Sequence, residues 1–264
     1  MSPSSFFCRS GLMTLFLSVA LTTASTATAH DTWVEISSSD LHPGHIAYVD
    51  LKLGNHGNDH RDFKLAGKVS LETCTLAVID PMKQSLDLKS RCVDAGFTTK
   101  EGYWTARLVP RLHGLHTVWH TMESQHGRAR TVKTGKTFFA VSGSGDETPR
   151  SLATEPLGGP IELVPLTSPV GGIRGEAIRV QVLFKGQPLP EARVSFIPRS
   201  QKLAEGFDQQ FERHSDGNGH AEFTPSVGDR YLIVVHHATT ESGASYDSTK
   251  YVATLTMDVA EFRP

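Results

Sequence analysis

Apolar residues in this chain recur with a period of two, in short runs cut off by glycine and proline. Beyond residue 29, no stretch carries the 3.6-residue period of a long helix. HIAYVDLKLG (45–54) shows the pattern. Side chains alternate across a strand, so Ile46, Tyr48, Asp50 and Lys52 go to one face, and Ala47, Val49, Leu51 and Leu53 to the other. LETCTLAVID, GYWTARLVP, GLHTVWHTM and KTFFAVS repeat the style. So do PIELVPLT, AIRVQVLF, ARVSFIP, HAEFTP, RYLIVVHHA and YVATLTMDV further along. Many short strands with turn residues between them predict an all-β chain built as two tandem antiparallel β-sandwiches of the immunoglobulin-like or transthyretin-like kind. Asp216-Gly217-Asn218-Gly219 lacks the acidic ladder of a calcium loop and reads as a hairpin turn.

The first 29 residues read differently. GLMTLFLSVALTT follows Arg9 and ends in Ala27-Thr28-Ala29, a small-x-small cleavage signature. The run is too short for a membrane span and predicts a signal peptide over 1–29, hence a periplasmic or secreted product that is not integral to the membrane. The polar stretch SGSGDETPRSLATEP (142–156) predicts a linker between a histidine-rich domain over 30–141 and a second domain over 157–264. Cys8 leaves with the leader, and Cys74 and Cys92 remain as an even pair that an oxidising compartment would join as a disulfide. With 26 basic and 28 acidic residues and no basic run, nothing points to nucleic acid. No GxSxG, HExxH or phosphate loop occurs, which favours a binder over an enzyme.

All 13 histidines lie beyond residue 29. Cleavage after Ala29 would give His30 a free α-amine beside its imidazole, a chelating pair of nitrogens suited to copper. His56 and His60 flank a Gly/Asn-rich turn, where Gly57 lets two imidazoles approach. Neutral imidazole suits nickel, cobalt, copper and zinc. His116 and His120 share one strand face but lie roughly 13 Å apart, so one of them, His120, is the partner expected for His56 and His60. His236 and His237, being adjacent, point to opposite faces. Protonation below about pH 6.5 would weaken capture of any ion by these groups.

Two features carry a family resemblance. His30-Asp31-Thr32-Trp33 opens the predicted mature chain, and Gly54 to Phe63 (GNHGNDHRDF) is the sharpest local segment. With PIELVPLTSPV, GEAIRVQVLFKGQPLPEARVSFIP, SDGNGHAEFTP, DRYLIVVHH and YVATLTMDV, they resemble a bacterial domain-of-unknown-function family of exported proteins. The resemblance implies a periplasmic component of nickel or cobalt uptake, serving a membrane metal transporter. It also implies a transthyretin-like or carboxypeptidase-regulatory-like C-terminal module, with His236 at a strand end near the interdomain cleft. Two other readings stand beside it: an adhesive or structural β-sandwich without metal, and a copper oxygenase built on His30.

Overall fold

The computed structural model describes residues 30–56, 61–98, 100–143 and 155–262. The expected leader, 1–29, lies outside them, as does most of the expected linker, 144–154. The first half forms β1 (Asp31–Ile36), β2 (Asp40–Leu41), β3 (Ala47–His56), β4 (Arg61–Gly67), β5 (Cys74–Ile79), β6 (Ser85–Asp87), β7 (Cys92–Asp94), β8 (Trp104–Leu108), β9 (Gly114–His126) and β10 (Ala129–Val141). The second forms β11 (Ile161–Pro165), β12 (Gly172–Ile173), β13 (Ile178–Phe184), β14 (Gln187–Pro188), β15 (Arg193–Pro198), β16 (Glu212–His214), β17 (His220–Phe223), β18 (Asp229–Thr239) and β19 (Ser248–Ala260). The described helices are two 3-10 turns, Leu71–Thr73 and Lys89–Arg91, and no helix among the described residues is long and apolar enough to cross a membrane.

The chain is all-β, with the described residues in three sheets. An N-terminal sheet runs β1-β3-β8-β7, with β4 beside β3; a C-terminal sheet runs β11-β13-β14, with β17 beside β13. Between them a 10-stranded central sheet runs β16-β15-β18-β19-β10-β9-β5-β6 and serves both halves, with β2 and β12 as short additions. Val34, Val49, Leu51, Leu76, Val118 and Phe139 belong to one core, and Leu163, Val180, Phe196, Ile233 and Leu255 to the other. The expected tandem order of two sandwiches is therefore modified. The halves are fused by parallel pairing of β10 with β19, from Ala129↔Ser248 to Thr137↔Thr256, in an otherwise mainly antiparallel structure.

Strand β10 shows how this works. Its even residues face the second half: Thr134 Oγ1 donates to Ile161 O at 2.7 Å, Lys136 pairs with Glu162, and Phe138 and Ala140 join the C-terminal core. Its odd residues face the first: Lys133 donates to His30 O, and Phe139 and Val141 join the N-terminal core. Residues 131–141 are consequently buried on both faces, although five of the seven in TVKTGKT (131–137) are threonine or lysine. Burial pushes the Lys136 ammonium below its usual range, against the attraction of Glu162. That carboxylate also accepts from the N–H groups of Leu157 and Gly159, at 2.9 and 2.5 Å, fixing the chain as it enters β11.

Strand β1 is the second shared element, buried at every position. Val34 and Ile36 enter the N-terminal core, whereas Trp33 joins the C-terminal one. It crosses the central sheet: Thr254 Oγ1 on β19 donates to Thr32 O at 2.8 Å, and Arg230 on β18 reaches Glu35 at 3.1 Å.

The expected Cys74–Cys92 disulfide is absent, and both thiols are free. Cys74 lies on the central sheet and Cys92 on the N-terminal one. Each sulfur instead points to a carbonyl of its own local turn, Leu71 O at 3.7 Å and Leu88 O at 3.5 Å. The two remain electrostatic neighbours. Burial first, and then Cys74, pushes the Cys92 thiol up to about 11.

Candidate functional site

The start of β1 gathers charge and imidazole where the two halves meet. Asp31 is 1% exposed, yet ionisable, so its carboxylate needs partners. His236, on β18, supplies one: its Nε2 lies 2.9 and 3.0 Å from the two carboxylate oxygens. Carboxylate oxygens accept, so Nε2 carries the proton and donates. Lys133, on β10, supplies another. Its side chain is buried, its Nζ donates to His30 O at 2.5 Å, and Asp31 attracts it. Burial, the largest influence, lowers the Lys133 pKa; Asp31 opposes this and Lys250 adds to it. His30 itself is exposed beside this group. Three elements thus meet at the first residues of β1, and each comes from a different part of the sequence.

The hairpin joining β3 and β4 begins at the same end. Asp31 pairs with Gly54, and His56 follows two residues on, paired with Arg61. The expected ligand His60 lies outside the described residues, and for His56 only the backbone is described. The hairpin is anchored at its base, where the Arg61 guanidinium bonds Ala204 O at 2.5 Å and pairs with Glu212.

His116 and His120 go elsewhere. His120 is fully buried between the N-terminal and central sheets. Its Nδ1 lies 2.8 Å from Thr75 O, which can only accept, so Nδ1 holds the proton and Nε2 accepts from Thr32 Oγ1 at 3.0 Å. Both ring nitrogens are occupied. Burial lowers its pKa to about 4, opposed by the Thr75 bond and aided by Lys133. His116 is buried and stacks on Phe139, ring centroids 4.7 Å apart. The expectation that His120 would join His56 and His60 therefore meets an imidazole already engaged in the core. His237 faces away from His236 and packs against Phe184 at 4.6 Å.

The donors available at the β1 end fit a nitrogen-preferring ion only in part. His236 is oriented by Asp31 and His30 lies close by. Among the described residues, however, no group of three or more His, Cys, Asp or Glu could hold a metal ion. Sequence reasoning missed Lys133; its signal is a lysine between Val132 and Thr134 inside a strand, a position that burial makes costly without a counter-charge.

Fold and site together define an all-β protein with a shared central sheet and a His–Asp–Lys cluster at the joint. Residues 27–239 match the model of the DUF4198 family, described as a domain of unknown function, and the chain belongs to that family. A comparison with curated proteins finds no match. Among solved structures, a DUF4785 family protein from Legionella pneumophila is 13% identical with a TM-score of 0.31, covering 77% of this chain and 51% of its own. Salmonella alpha-2-macroglobulin, reacted with methylamine, is 11% identical with a TM-score of 0.28, covering 88% and 15%. The Yersinia pseudotuberculosis adhesin InvE is 13% identical with a TM-score of 0.23, covering 86% and 60%. This chain thus spans about half of the first and a small part of the second. Likenesses this distant carry no argument about activity.

Proposed function

We propose that this protein is an exported binding protein whose cargo is a late first-row transition-metal ion, held at the start of β1. The observation that supports it is the Asp31–His236 pair beside His30. A carboxylate that takes one imidazole N–H fixes the tautomer and orientation of the ring, the support that metal-ligating histidines ordinarily receive. In this reading His30 and His236 are ligands, His56 and His60 complete the set, and Asp31 orients. His116 and His120 are structural. The family resemblance favours nickel or cobalt over copper or zinc, with delivery to a membrane uptake transporter from the periplasm. The second half, built around the C-terminal sheet, serves as a transthyretin-like support that brings His236 to the site.

The test uses the chain expressed with its own leader and isolated after processing. Bound metal is measured by mass spectrometry, and nickel, cobalt, copper and zinc are titrated into the native protein, His236→Ala and His56→Ala/His60→Ala. Near-stoichiometric binding that weakens at least tenfold in both variants supports the site. Binding no tighter than millimolar for every ion would leave an exported structural or adhesive β-sandwich as the better description.

A further inference from the structure

Strand β2 ends in a turn that places two further imidazoles together. Leu41 pairs with Val141, the last residue of β10, and His42-Pro43-Gly44-His45 follows. His45 N donates to His42 O at 3.0 Å and closes the turn, while Gly44 N donates to Pro110 O at 2.9 Å and ties it to the loop before β9. Gly44 has a φ of +83°, which glycine reaches without strain, and Pro43 fixes its own φ. The turn is therefore held from inside and from outside. It brings the His42 and His45 rings to a centroid separation of 5.1 Å, nearly perpendicular at 87°, and both residues are exposed.

His42 is also oriented. Its Nδ1 lies 2.9 Å from Ser142 O, and a carbonyl can only accept, so Nδ1 carries the proton and Nε2 keeps its lone pair. A backbone carbonyl on the far nitrogen is the support that metal-ligating histidines receive. Two imidazoles on one tetrahedral ion at about 2.0–2.1 Å have centroids roughly 5 Å apart. The turn already holds its rings at that spacing. His45, exposed, can rotate about its own side-chain bonds to turn a nitrogen toward the ion.

We propose that His42 and His45 form a second transition-metal site that takes a nitrogen-preferring ion, with water in the remaining positions. Among the described residues no third His, Cys, Asp or Glu joins them. Copper(II) heads the order of affinity for such donors and should bind tightest. The pair does not depend on the site at β1. Eight residues of β10 separate Lys133, which bonds His30 O, from Val141, roughly 26 Å at about 3.3 Å per residue.

Copper(II) and zinc are titrated by calorimetry into the processed, untagged native protein, His42→Ala, His45→Ala and His236→Ala, with folding checked by circular dichroism. Each turn variant should lose one equivalent of bound copper, or bind it at least tenfold more weakly, and His236→Ala should keep that equivalent. Zinc should follow the same pattern at lower affinity. His45→Gln carries the test if His45→Ala does not fold. Copper binding that is unchanged in either folded turn variant overturns the pair, as does native protein that binds no copper. An equivalent lost only in His236→Ala overturns it too, and leaves the site at β1 standing.

Discussion

Two buried ionisable side chains contribute to how this protein responds to acid, and they act in different pH windows. His120 is held neutral in the core, with its pKa lowered by burial to about 4. The unfolded chain binds a proton near pH 6.5 and the folded one does not, so stability is full above 6.5 and falls as pH drops toward 4. The loss amounts to about 3 kcal/mol. Urea unfolding at pH 7, 5.5 and 4.5 should show it, and His120→Gln should flatten the slope. Glu35 behaves in the opposite chemical sense. Burial raises its carboxyl, but the attraction and hydrogen bond of Lys52, followed by those of Arg199, outweigh this and bring it from 4.5 to about 2. Lys52 Nζ and Trp33 Nε1 both donate to it at 2.7 Å. Its contribution, also about 3 kcal/mol, is present above pH 4.5 and lost as pH falls through 2. Glu35→Gln should cost a similar amount at pH 7, because Lys52, Arg199 and Arg230 then lose their shared counter-charge. An unchanged urea midpoint at neutral pH would refute that.

At the level of elements, β1 and β3 are held together by close approach. A Cβ on Gly54 would overlap the Trp33 ring and lie 2.6 Å from Lys64 O, at the point where the β3–β4 register shifts. Gly54→Ala should therefore destabilise by about 1–3 kcal/mol, read as a lower thermal midpoint, since the backbone itself must move. Strands β5 and β7 offer a chemical test. In the processed protein, unfolded in urea, Cys74 and Cys92 should both take a thiol label without reductant, as the free thiols require; no label until reductant is added would overturn this. The strands themselves were readable because half-buried sheets alternate, as in β3, where Val49 and Leu51 are buried and Tyr48 is exposed. Strand β10 was only partly readable. Lys133 and Lys136 look like solvent positions, and their counter-charges, Asp31 and Glu162, come from strands remote or merely nearby in sequence. The histidines were least readable. His120 and His236 are the same residue type on similar strands. One is enclosed by Thr75 and Thr32, while the other meets Asp31 at a partly open edge. Pairing across the sheets decides this, and periodicity does not encode it.

For the whole molecule, the shared central sheet implies that the halves do not unfold separately. Strand β10 contributes Phe139 to one core and Phe138 to the other, and β1 divides Val34 and Trp33 in the same way. Calorimetry should record one cooperative transition with equal calorimetric and van't Hoff enthalpies. Two resolved transitions would contradict the shared sheet. The match to the DUF4198 family, which runs from residue 27 to 239, likewise crosses the expected linker without a break. The joint also has a consequence in time. Thr137 bonds Thr256 across 119 residues of chain, so the strand that completes the middle of the sheet emerges long after the strand it completes. Contacts this far apart in sequence make folding slow. A growing chain would display the open edge of β10 until β19 arrives, so this protein gains most from a chaperone during that interval.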